Sequence, residues 1–175
     1  MFERILVALD TSPHNTQVFD TALSLAKLTN ARLLLTHILP NFNSSDSEIG
    51  KPAEPESVPA HLNQQSTITL ERQAAETKGL AMLRSFHRLA QSAHVGADLA
   101  QPLANPSEMI CSLVCDWGAD LVVMGRRGLT EADEAFLSSV STYVTHHAAC
   151  PVLIVQSSQC PNLGVASINT EAITH

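Results

Sequence analysis

Four short stretches, Arg4–Asp10, Arg32–Ile38, Asp120–Gly125 and Pro151–Val155, are almost continuously apolar. A strand with one wet face alternates polar and apolar residues. An unbroken apolar run of strand length instead implies burial on both faces, which is how strands of parallel sheets read. The segments between these runs have helical spacing. Ser12 and Pro13 suit an N-cap and first helical position, and Val18, Ala22, Leu25 and Ala26 form an apolar stripe in a helix reaching about Leu28. A second helix spans about Leu62 to Ala93, with Gly79, Met82, Leu83, Phe86, Leu89 and Ala93 on one side and Gly96 as its stop. Asn105-Pro106-Ser107 opens a third, whose inner face is Ile110, Leu113, Val114 and Trp117. The last runs from Ser139 to His147, with Val140, Tyr143, Val144 and His147 inward. A weaker strand, Asp98–Leu103, completes five strand–helix alternations. Such alternation predicts right-handed crossovers and an α/β domain over residues 1–155, its parallel sheet covered by helices on both faces.

Two stretches lie outside this pattern. Residues 41–61 carry Pro52, Pro55 and Pro59 among Ser, Asp and Glu, and are expected to form a long flexible loop, a linker or a lid. Residues 156–175 are polar and patternless, and are expected to form a loose tail.

The chain has 175 residues, ten Lys+Arg against seventeen Asp+Glu, and a formal charge of −7. That balance argues against a nucleic-acid partner, which needs a basic face. The N-terminus starts directly with a strand-like run, without the n-region and apolar core of a secretory signal, and no apolar stretch has the length of a membrane span. The expected location is cytoplasmic. Cys111 and Cys115, one helical turn apart and without a His at ligand spacing, are read as buried small apolar residues in a reducing compartment. His146 and His147 are adjacent on a helix, point about 100° apart, and do not chelate together; no metal site is read from them.

The chemistry concentrates between the fourth run and the last helix. Gly125 and Gly128 follow a buried strand, and Ser138-Ser139 open a helix. Glycine lets the backbone approach an anion closely. The unpaired amides and dipole of the helix N-terminus then suit phosphate. Asp10 and Gly125 stand at the carboxyl ends of the first and fourth runs. If those strands are neighbours, the two residues flank one crevice at the point where strand order reverses, where open α/β sheets bind ligands.

These segments together resemble the universal stress protein family. The elements are Ile5–Asp10 at the start, Ala119–Leu129 around the fourth strand, and Ser139–Ser141 through Cys150–Val155 at the end. The family's nucleotide pattern is glycine, two residues, glycine, nine residues, then glycine and a hydroxyl residue. Gly125 and Gly128 match its first two positions, Leu129 to Leu137 supply the nine, Ser138 stands where the third glycine belongs, and Ser139 matches the hydroxyl. The resemblance implies an adenine nucleotide alpha hydrolase-like fold with strand order 3-2-1-4-5. It also implies nucleotide contacts from Ala8, Asp10, Ile38 and the neighbouring His37, from Met124, Gly125, Arg127 and Gly128, and from Ser138, Ser139, Val140 and Ser141. The implied ligand is ATP, or AMP or ADP. Glu131, Asp133 and Glu134 outnumber Arg126 and Arg127 in the loop, so charge balance calls either for Mg²⁺ with the nucleotide or for the loop to swing away. The implied assembly is a homodimer through strand Pro151–Val155.

The function so read is an adenine-nucleotide-binding, stress-response regulator. The alternatives are a non-ATP-binding homologue serving as an interaction module, and a slow ATPase. No Walker-type lysine follows the glycines and no nucleophile has a paired base, which places enzymatic turnover last.

Overall fold

The structure is a computed structural model and describes residues 1–40, 61–126 and 139–156. The expected loop before the second helix, the segment Arg127–Ser138 and the tail from residue 157 lie outside the described residues. Strands β1 (Arg4–Ala8), β2 (Arg32–Thr36), β3 (Ala97–Ala100), β4 (Leu121–Gly125) and β5 (Val152–Val155) alternate with helices α1 (Asn15–Thr29), α2 (His61–Ser92), α3 (Pro106–Trp117) and α4 (Ser139–His147). Among the described residues they make one five-stranded sheet in the order β3-β2-β1-β4-β5, every pairing parallel. This is the expected architecture.

The continuous apolar runs are explained by two cores. Ile5 and Val7 of β1, Leu33 and Leu35 of β2, and Leu121 and Val123 of β4 face α1 and α2. Leu6, Leu34, Val122 and Met124 face α3 and α4. Successive residues of a strand point to opposite faces, so both must be apolar when helices cover both. Phe19 of α1 stacks on Phe86 of α2, ring centroids 4.5 Å apart, and ties the two helices of the first face together. Burying a side chain of this size contributes about 1.5–3 kcal/mol.

Several local details differ from the expectations. Ser12 does not cap α1. Its amide and hydroxyl both donate to Asp10 Oδ1, at 3.1 and 2.5 Å, so it belongs to a turn closed by the aspartate, and the helix begins at Asn15. In α2 the inward residue is Ala90, fully buried, while Leu89 is half exposed, because the stripe advances by four there. The helix stops at His94, in the left-handed region at φ 59°, which satisfies Ala90 O through the Val95 amide; Gly96 lies beyond that turn. His tolerates this conformation better than bulky or β-branched residues do. His147 is exposed rather than inward, donating Nδ1–H to Tyr143 O at 2.8 Å and stacking on Tyr143, while Ser141 takes the buried position. Cys111 and Cys150 are half-buried, and burial pushes both thiols up, but Cys115 is exposed, contrary to its reading as a buried residue. Among the described residues, no helix is long and apolar enough to cross a membrane.

Two polar anchors hold opposite ends of the sheet, Asp120 at the amino ends of the strands and Asn105 beyond the carboxyl end of β3. The Asp120 carboxylate accepts the Glu3 and Arg4 amides at 2.6 and 3.1 Å, fixing the start of β1 against β4. Asn105 caps α3, its side chain accepting from the Ser107 amide at 3.0 Å with Pro106 in the first turn, as expected.

At Gly79, α2 lies close against side chains that follow β2 and β3. A Cβ there would collide with Cδ2 of the His37 imidazole and with the Gln101 amide nitrogen, and would stand 2.7 Å from His37 Nε2. His37 is held in place by its own bond from Nδ1 to Leu9 O, 2.9 Å. Alanine should favour the helix by about 1 kcal/mol over glycine, but overpacking costs about 1–3 kcal/mol. We therefore expect Gly79→Ala to lower the melting temperature by about 2–5 °C, measured by thermal denaturation; a raised melting temperature would show that α2 is free to lift.

Candidate functional site

Because β1 lies between β2 and β4, the chain leaves its carboxyl end beside two strands whose connections run to opposite faces of the sheet. A crevice must open there. It contains a cavity of about 670 Å³, within the range usual for small-molecule sites.

The floor is the strand ends. Ala8, Thr36, Ile38, Met124 and Gly125 all line the cavity. The register places Ala8 beside Thr36 on one side and Met124 on the other. Helices α3 and α4 add Pro106, Ile110 and Val140 on one face, and α1 adds Asn15 and Val18 on the other. Apart from Thr36, the floor is therefore apolar, with charged groups at the rim.

Asp10 follows β1 directly and lines the cavity. Its carboxylate is oriented by the two bonds from Ser12, and its carbonyl accepts from Asn15 Nδ2 at 3.2 Å. His37 is buried, and because Leu9 O can only accept, its Nδ1 carries the proton of that bond. Gly125 sits where a Cβ would approach Val18 Cγ2 to 3.2 Å. That spacing leaves no slack for a larger side chain between β4 and α1.

The cavity rim is more basic than the chain as a whole. Arg72 and Lys78 reach it from α2 and Arg126 from the end of β4, whereas Asp10 is the one carboxylate among the described lining residues. Arg72, Ala75 and Lys78 all line the cavity and are three residues apart, which sets them along one stripe of the helix.

Of the residues expected at the site, Ala8, Asp10, Ile38, Met124, Gly125 and Val140 are brought together around the cavity, as is His37. Ser139 begins α4, and Ser141 is fully buried in that helix and does not line the cavity. Arg127, Gly128 and Ser138 lie outside the described residues, as do Glu131, Asp133 and Glu134. Thr36, Asn15, Arg72 and Lys78 were not expected. The three-residue spacing of Arg72, Ala75 and Lys78 was the available sign for the α2 pair, but an exposed charged stripe reads by default as solvated surface.

The profile of the universal stress protein family matches residues 1–156. A universal stress protein of Synechocystis, Sll1388, is 35% identical over 155 residues, covering 89% of this chain and 98% of that protein. Among solved structures, UspA of Lactobacillus plantarum superposes with a TM-score of 0.69 at 18% identity, over 88% of this chain and 97% of that one. A family protein of Arabidopsis thaliana with AMP bound superposes with a TM-score of 0.59 at 21% identity, over 88% and 91% of the two chains. Two further universal stress proteins, one in complex with cAMP and one from Archaeoglobus fulgidus in complex with dAMP, each superpose with a TM-score of 0.58, at 21% and 17% identity. They cover 89% and 87% of this chain, and 97% of their own in both cases. The structural likenesses are of fold, and the sequence matches run from the first strand to the end of the last; the chain belongs to the universal stress protein family.

Proposed function

We propose that this protein binds an adenine nucleotide, principally ATP with Mg²⁺ and also AMP or ADP, in the cavity at the carboxyl ends of β1 and β4, and acts as a cytoplasmic homodimer that regulates a stress response by binding rather than turnover. The observation that carries the reading is the meeting of Asp10 and Gly125 across one cavity, at the point where strand order reverses. The apolar floor suits a base, and the rim of Arg72, Lys78 and Arg126 suits phosphates. The nucleotides bound by the Arabidopsis, Archaeoglobus and cAMP-complexed proteins support the same ligand class.

Asp10 fits Mg²⁺ carried by the nucleotide. That ion keeps several waters and takes one or two carboxylates plus phosphates, and Asp10 offers one carboxylate already oriented by Ser12. When bound, the ion supplies charge neutralisation between the phosphates and the acidic segment Glu131–Glu134. Arg72 and Lys78 supply the remainder from α2.

Equilibrium binding of labelled ATP and of AMP to the full chain, with Mg²⁺ and with EDTA, tests the reading. ATP should bind more tightly with Mg²⁺, and AMP should be nearly indifferent. Gly125→Val should weaken both by about tenfold or more, equivalent to about 1.4 kcal/mol, since its methyl groups must enter either α1 or the cavity. Retained affinity in a variant with an unchanged circular dichroism spectrum would place the site elsewhere.

Reversing the charge of Lys78 probes the rim. Lys78 is exposed, so solvent screens it, and the expected loss in Lys78→Glu is about two- to fivefold for ATP, smaller for AMP, and diminished by added salt. Equal losses for the two nucleotides would remove the phosphates from the α2 side.

The dimer reading rests on β5, which forms one edge of the sheet and has Leu153 exposed. An open edge bearing an apolar residue is a pairing surface. Sedimentation should therefore give a dimer for the wild type and a monomer for Leu153→Asp, and a monomeric wild type at high concentration would exclude the interface.

A further inference from the structure

The cavity floor contains a hydroxyl group that the protein does not use. Thr36 ends β2, fully buried, and its Oγ1 has no hydrogen-bond partner among the described residues. Leu34, two residues earlier, packs with Ile110 and Val114 on the α3–α4 side, so the Thr36 side chain lies on that same face. Its register partners are Ala8 of β1 and Ala100 of β3. Both carry only a methyl group, which can neither donate nor accept. Thr36 is among the residues lining the cavity, with Ala8, Ile110 and Met124, so its buried side chain borders an otherwise apolar wall.

Leaving a buried hydroxyl unpaired is costly, and more than nine in ten buried backbone polar groups, with the large majority of buried side-chain polar atoms, are paired in folded proteins. Valine would fill the same volume without that cost. An orphan in a cavity wall is satisfied by what fills the cavity. The surrounding methyl groups and the Met124 thioether form a surface for a flat ring, and a hydroxyl both donates and accepts. It therefore suits a nitrogen heterocycle, with ring nitrogens that accept or an exocyclic amine that donates.

We infer that Thr36 Oγ1 hydrogen-bonds the base of the bound nucleotide and is a specificity-determining residue of this site. The inference rests on the adenine-nucleotide reading and extends it to one atom. The phosphates lie toward Asp10 and Gly125, so the bond is indifferent to their number.

Calorimetric titration of the full chain with AMP and with Mg-ATP, for wild type, Thr36→Val and Thr36→Ser, tests it, alongside melting of each without ligand. Thr36→Val should raise the melting temperature of the free protein by about 2–6 °C, since it removes an unpaired buried hydroxyl. The same variant should lose about three- to tenfold in affinity for both nucleotides. Thr36→Ser, which keeps the hydroxyl, should remain within about twofold of wild type, on the same hydrogen-bond argument. Wild-type affinity in Thr36→Val, or a loss with ATP alone, overturns the inference and leaves the nucleotide site standing. A lowered melting temperature in the free valine variant overturns it as well, by revealing a native partner. Failure of the wild type to bind either nucleotide overturns the site reading itself, and the Thr36 bond with it.

Discussion

Everything in this protein depends on β1 having a hydrogen-bonded neighbour on both sides and a helix layer on both faces. Ile5, Leu6 and Val7 are completely buried as a result. Such a strand contributes no surface of its own except at its ends. At the amino end Asp120 closes the gap by accepting two backbone amides. At the carboxyl end no carboxylate among the described residues bridges β1 and β4 in this way, and the connections from β1 and β4 depart to opposite faces. The open end is a geometric consequence of the strand order, and the cavity lies there for that reason rather than because of any one side chain.

The chain's overall acidity conceals a local basic rim. With a formal charge of −7, a site for a polyanion would be unexpected on charge alone. Arg72, Lys78 and Arg126 converge at the cavity from two elements distant in sequence, against one described carboxylate. Local field, not net charge, governs a small anion at short range, since screening in physiological salt acts over about 8 Å. The acidic segment Glu131–Glu134 must be set against these three cations as well as against Arg127.

Close approach is the other recurring device. Gly79 lets α2 press on His37, and Gly125 lets β4 come up to Val18 of α1. Both contacts converge on residues of the cavity wall, so the helices that form the core also set the dimensions of the site. His37 joins the two roles. Its ring is wedged under α2 while its Nδ1 holds the Leu9 carbonyl just before Asp10. Packing of the core and placement of the acidic group are in this way one arrangement.

The sequence by itself determined the strands, the helices and the family. Burial on both faces leaves a continuous apolar run, and the Gly125–Ser139 spacing is a pattern within one segment, so both are legible without a fold. Asp10 was legible from its place at the carboxyl end of the first run, whereas Ala8, Ile38 and Met124 came from the family resemblance. Leu89, His147 and Cys115 were misplaced because periodicity fixes a residue's angle on its own helix only to within a neighbour. Tertiary structure alone decided the remainder. That Thr36 is flanked by two alanines follows from the pairing of β1, β2 and β3, and that Arg72 and Lys78 reach the cavity follows from how α2 crosses the sheet. A residue's pattern along the chain records its own element's inside and outside; what stands opposite it depends on another element, and that information resides in the packing.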